Sequence, residues 1–199
     1  MPLEIEDHGV GNLVEMGRAE RAALAGQVVF LGDGARVTFG PGCVSEHGMR
    51  LEVGSGVVVE IGRDNHLGAL FVHAVAGAVV TLGDGLGLNG QVRLLLHEPA
   101  RIAIGSGCLI AADVDITVSD MHPIFDLSTG GRINPAADVA IADRVWIGQR
   151  SMVMKGAVIG HETVIGAGSV VTGTLPAHCI AAGSPARVVR TGTRWDWSL

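Results

Sequence analysis

Aliphatic side chains recur every six residues through the second half of the chain, at Ile141, Ile147, Val153, Ile159, Ile165 and Val171, and few folds accept that period. A helix turns about 100° per residue, so positions six apart diverge by about 120° and cannot share a core. In extended chain six is an even step, and all these side chains face the same way. The residue after most rungs is small (Ala142, Gly148, Gly160, Gly166), which suits a backbone that bends tightly every few residues. The period predicts an all-β chain wound as a triangular parallel β-helix. Three hexads make a coil of about eighteen residues, stacking Ile147 under Ile165 and Ile141 under Ile159 at the strand spacing of about 4.8 Å.

The irregularities of this ladder point to one active edge. The segments VTFGPG, VEIGRD, VTLGDG and IAIGSG place Phe39, Ile61, Leu82 and Ile104 at equivalent positions, 22, 21 and 22 residues apart. Leu82, Leu88 and Leu94 keep the six-residue step, so the extra residues of each early coil fall afterwards, as a bulge at one corner in stretches such as LLHEPAR. Ile104, Ile110 and Ile116 keep step again, and then Ile141 arrives 25 residues later. That excursion, residues 119–138, leaves from the same corner and reads SDMHPIFDLSTGGRINPAAD. A loop of this length inside a compact repeat is usually functional.

A chain of 199 residues suffices for one well-buried domain. Its residues are 48% hydrophobic but only 4% aromatic, so the core is aliphatic, as stacked identical rungs require. The net charge of -6 argues against a general nucleic-acid binder, since no basic surplus exists to displace counterions. No apolar run reaches the length of a membrane span and the N-terminus is acidic, so the expected compartment is the cytosol. Cys43, Cys108 and Cys179 are odd in number and far apart, and read as small buried hydrophobes. Residues 1–26 lack the hexad step and are expected to cap the first coil with a short helix, the β-helix proper running over 27–185. The tail, 186–199, leaves the ladder after Gly/Pro breaks, and its Trp195 and Trp197 are expected to pack back on the coil or on a neighbour.

The stretch VWIGQRSMVMKGAVIGHETVIGAGSVVTGTLPAHCIAAGSPARVV resembles the C-terminal half of the hexapeptide-repeat acyltransferases. The preceding SDMHPIFD is similar to the catalytic loop of their sugar and polysaccharide O-acetyltransferase branch. The resemblance implies a left-handed coil, a homotrimer, and acetyl-CoA lying in the groove between neighbouring subunits.

Moving an acetyl group from a thioester to a sugar hydroxyl needs a base for the hydroxyl proton, donors for the developing oxyanion, and a site that aligns both substrates. An imidazole, titrating near pH 6.5 when unperturbed, is the natural base, and His122 is the candidate. Asp120, in preference to Asp126, is expected to bond its second ring nitrogen; Asp126 is otherwise placed beside the acceptor. The loop holds no Cys, which favours direct transfer over an acyl-enzyme. His73 and His97 fall in the corner bulges below the loop, and His97 is the stronger candidate for the acceptor pocket.

Carried over from the family, Trp146 stands beside the active site at the reactive end of the cofactor. Gln149, Ala167 and Thr172 line its pantetheine arm, and Arg187 and Arg190 meet its phosphates. Where many relatives have a lysine after VVT, this chain has Gly173. The run Asp-Met-His, and an N-terminal segment without the motif of maltose and galactoside acetyltransferases, favour a capsule- or lipopolysaccharide-type acceptor. No metal is expected. Two other classes remain open from sequence: a zinc β-helix like the γ-type carbonic anhydrases, and a non-catalytic scaffold.

Overall fold

The computed structural model describes residues 2–198 and is an all-β solenoid of eight coils with three parallel faces. The first face carries eight strands: Leu3–Asp7, Gly26–Phe30, Met49–Val53, Ala69–Ala74, Gln91–Leu96, Val114–Thr117, Met152–Val153 and Val170–Val171. The second also carries eight: Leu13–Glu15, Arg36–Phe39, Val58–Ile61, Val79–Leu82, Arg101–Ile104, Val139–Ile141, Val158–Ile159 and Thr174–Leu175. The third has six: Gly87–Leu88, Leu109–Ile110, Trp146–Ile147, Val164–Ile165, Cys179–Gly183 and, antiparallel at the end, Ala186–Thr191.

The ladder stacks as its period requires. Ile141 pairs with Ile159, Ile147 with Ile165 and Val153 with Val171. Phe39, Ile61, Leu82 and Ile104 form one continuous column. Their side chains point inward and are almost wholly buried, in a single core running the length of the prism. Leu94 is fully buried on its rung, and Leu94→Ala is expected to cost about 2–5 kcal/mol through lost transfer energy and a residual cavity. A fall in the urea midpoint at unchanged slope would report it.

Three details differ from the sequence reading. The small residue after a rung is required less by bending than by the next coil: a Cβ on Gly160 would lie 2.3 Å from the Ala177 nitrogen, and one on Gly148 2.6 Å from that of Ala167. The extra residues of the early coils do not loop out as a bulge. They lengthen the strands on both sides of that corner: the first face reaches 6 residues at Gln91–Leu96 against 2 at Met152–Val153, and the second 4 at Arg101–Ile104 against 2 at Val158–Ile159. Residues 1–26 are also more than a cap, because Leu3–Asp7 and Leu13–Glu15 add a rung to two faces by parallel pairing. The expected helix is one short element, Arg18–Ala23, completing that first coil. No helix among the described residues is long and apolar enough to cross a membrane.

The three cysteines are free and buried. Burial pushes the Cys108 thiol up to about 11, so it stays protonated and inert at neutral pH.

Candidate active site

Residues 119–138 leave the end of Val114–Thr117 and re-enter at Val139–Ile141, so the excursion springs from the edge between the first and second faces. It is an ordered hairpin, closed by Asp126 N–H to Gly131 O at 2.9 Å and Ile133 N–H to Ile124 O at 2.9 Å. Asp126 builds its tip, accepting from the Ser128 and Thr129 backbone N–H groups at 2.9 Å each and from both hydroxyls. Those donors, led by the Ser128 hydroxyl, hold its carboxyl at about 2. That is the work of a turn residue.

His122 follows Met121, whose φ of 63° is a left-handed conformation costly for a bulky side chain. The strain is held by a dense set of bonds. The His122 N–H donates to Asp120 O at 2.7 Å. Asn134, only 8% exposed, donates to His122 O and to Asp120 Oδ2 at 2.9 Å each, and accepts the Ile124 N–H at 2.6 Å. Lys155, the chain's single lysine, reaches in from the following coil, bonding Asp120 Oδ2 at 2.6 Å and Pro135 O at 3.1 Å. It therefore ties the outgoing strand of the loop to the returning one. The imidazole itself is exposed and makes no hydrogen bond within the described residues, so it is free to meet a substrate.

The expected pairing of Asp120 with the His122 ring is absent. The Asp120 carboxylate is taken by Lys155 and Asn134, and Lys155 above all holds it below the usual carboxylate range. Asn134 and Lys155 carried no signal in a one-dimensional reading beyond the uniqueness of the lysine. The loop base is fixed by Glu98, which takes a two-pronged pair from Arg132 at 2.7 Å and 2.7 Å and the Ser119 hydroxyl at 2.5 Å.

Arg132, with Ser119, holds the Glu98 carboxyl at about 2. A carboxyl depressed on folding adds stability that is complete above its unfolded value, about 4.3, and fades as pH falls towards the folded one. The Arg132 side-chain N–H resonances should remain protected at pH 6 and merge with solvent between about pH 4.3 and 2. Protection persisting at pH 2 would show that the pair does not anchor the loop.

His97 lies just beyond Gln91–Leu96, and His73 stands within Ala69–Ala74. Their rings stack with centroids 4.8 Å apart, and His73 Nδ1 lies 3.2 Å from Glu52 Oε2. Burial, then His73, pushes the His97 imidazole below its ordinary value.

Trp146 occupies a different face. It sits on the third sheet, 39% exposed, against Trp195 with ring centroids 6.1 Å apart. The strands that flank the loop belong to the first and second sheets instead. Trp195 is buried, donating its Nε1–H to Arg144 O at 2.6 Å with the Arg144 guanidinium 5.5 Å from its ring centre. Trp197 continues the row at 5.4 Å and lies over Gly87, where a Cβ would come within 2.7 Å of its ring. The tail thus folds back along the third face as a strap.

The remaining candidates divide between two edges. Gln149 and Ala167 follow the third-face strands Trp146–Ile147 and Val164–Ile165, at the edge between the third and first faces, with the Gly168 N–H bonded to Gln149 O at 2.8 Å. Thr172 follows Val170–Val171, on the edge from which the loop springs. Arg187 and Arg190 project, exposed, from the antiparallel end strand. Among the described residues no three His, Cys, Asp or Glu side chains converge as metal ligands.

Residues 138–173 match the bacterial transferase hexapeptide family of six repeats. The chain is 33% identical over 122 residues to the polysialic acid O-acetyltransferase of Escherichia coli O1:K1 / APEC, covering 61% of this chain and 39% of that protein. It spans 52% of the galactoside O-acetyltransferase of E. coli K12. With the galactoside O-acetyltransferase of Lactococcus lactis it shares 31% identity over 149 residues, 74% of this chain and 70% of the relative. Among solved structures, that of the polysialic acid O-acetyltransferase OatWY superposes with a TM-score of 0.89 at 25% identity, covering 98% of this chain and 92% of that one. The stacked hexads, the loop they carry and these relatives together place the chain in the hexapeptide-repeat acetyltransferase family.

Proposed function

We propose that this protein is an acetyl-CoA-dependent O-acetyltransferase of the cytosol that modifies a sugar hydroxyl, with a polysaccharide of capsule or lipopolysaccharide type as acceptor. The observation that carries the reading is His122: an unpartnered imidazole on a strained turn, locked from behind by Asn134, Asp120 and Lys155. Its free nitrogen takes the acceptor's proton as the hydroxyl oxygen attacks the thioester carbonyl. Collapse of the tetrahedral oxyanion expels the CoA thiolate, which recovers a proton from the imidazolium. Asp120 assists through the backbone of His122 and the Lys155 bond, not through the ring.

The assembly we propose is a homotrimer in which the loop of one protomer reaches the Trp146 edge of the next. Two features support it. His122 stands on a loop at the edge between the first and second faces, whereas Trp146 lies on the third. The loop also exposes five large apolar side chains, Met121, Ile124, Phe125, Leu127 and Ile133, with Leu127 in full contact with solvent; a patch of that kind marks an association surface. Trp146, Gln149 and Ala167 then form one wall of the acetyl-CoA groove, with Thr172 on the loop side, and Arg187 and Arg190 take the phosphates. His97, beneath the loop, and Asp126, at its tip, face the acceptor.

The test is a transfer screen with acetyl-CoA against free sugars, sialic acid polymers and lipopolysaccharide fragments, following CoA release and acetylated product by mass. Acetylation of one acceptor class with one CoA released per acetyl supports the proposal. CoA binding absent by calorimetry and no product on any acceptor would remove it.

A further inference from the structure

We infer that His161 and His178 form a surface site for one borderline divalent transition-metal ion, such as Zn²⁺ or Ni²⁺. The two residues belong to successive coils at the edge between the second and third faces, away from the loop, and the His178 N–H bonds His161 O at 2.9 Å. Their Nε2 atoms are 3.0 Å apart, their ring centroids 4.6 Å apart, and the ring planes stand at 87°.

Those three quantities distinguish two kinds of contact. At this nitrogen separation, a hydrogen bond aligned with both ring axes would hold the centroids about 5.3 Å apart. Two rings whose Nε2 lone pairs meet on one ion about 2.05 Å from each nitrogen put the centroids about 4.7 Å apart, with the two ligands near a right angle. The observed 4.6 Å matches the convergent arrangement. Both imidazoles are exposed, and neither Nδ1 is bonded within the described residues, so neither ring is committed to another partner. Imidazole nitrogen selects zinc, nickel and copper over magnesium and calcium. Among the described residues no third His, Cys, Asp or Glu joins the pair; water completes the shell, and the affinity is modest.

The site has a structural consequence. Thr193 N–H bonds His178 O at 3.0 Å, and the Trp195–Trp197 strap begins directly after it. An ion bridging His161 and His178 ties the last coil, and with it the base of the strap, to the coil before. Because it binds the folded chain, it also raises the melting temperature.

Full-length protein freed of metal with chelator is titrated with zinc chloride by calorimetry and by thermal melting. One Zn²⁺ per chain is expected, with a rise in melting temperature. His161→Ala and His178→Ala should each weaken binding by about tenfold or more, and His161→Gln should do the same while preserving the fold. His97→Ala, at the other close histidine pair, should bind as the parent does. Absence of saturable binding would overturn the inference. So would full affinity in His161→Gln, or loss of binding in His97→Ala instead. Neither readout depends on acetyl transfer, so the site stands or falls apart from the proposed reaction.

Discussion

His122→Ala is expected to lower the rate of acetyl transfer by about 10²- to 10⁴-fold, the usual contribution of a positioned general base. The loss should fall on kcat, because the imidazole is asked to act on the acceptor proton in the transition state and not to hold CoA. Melting temperature and CoA affinity should stay at parental values, since the ring makes no hydrogen bond within the described residues whose removal could loosen the fold. His122→Gln keeps polarity and size without a comparable base, and should be equally slow. CoA release with a thiol reagent at saturating acetyl-CoA measures the effect. A parental turnover number in either variant would mean that the proton leaves by another route.

Asn134→Ala is expected to slow turnover by about 10²-fold, although its side chain need touch neither substrate, because misplacing a reacting group by about 1 Å costs that much. One amide spans three points of the loop, Asp120, His122 and Ile124. Removing it leaves the Ile124 N–H and the His122 carbonyl short of partners in a partly buried setting, at about 1–3 kcal/mol, on a turn already strained at Met121. Asn134→Asp keeps the acceptor for Ile124 but loses both donors and sets a second carboxylate beside Asp120, so it should be no better than alanine. Hydrogen exchange of the 122–134 amides should rise in both variants while exchange in the coil strands stays constant. The KM for acetyl-CoA should also stay unchanged, which separates positioning of the loop from general unfolding. Parental kcat with faster loop exchange would show that loop order does not limit the reaction.

Both expectations rest on a site of which about half was legible in the chain. The period of six in Ile141 to Val171 sufficed for the prism, because in extended chain an even step maps directly onto a face. The break between Ile116 and Ile141 sufficed to locate the loop and its histidine. The partner of Asp120 was misjudged because sequence proximity favoured His122. In three dimensions Lys155, one coil away, and Asn134, across the hairpin, reach the carboxylate first. The early coils show the same limit: spacing counted their extra residues, but only the sheets showed them as longer strands on the two faces that meet at that corner.

Local spacing by itself determined the kind of fold, the aliphatic core and the edge that carries the loop, since each follows from side-chain direction along a strand. Contacts between coils were decided by the tertiary structure. The Lys155 clamp, the tryptophan strap seated on Gly87 and the His161–His178 pair join residues whose meeting depends on the length of each intervening coil and on how its corner turns. Coil lengths vary along this chain, so register becomes definite only when every rung has found its neighbour.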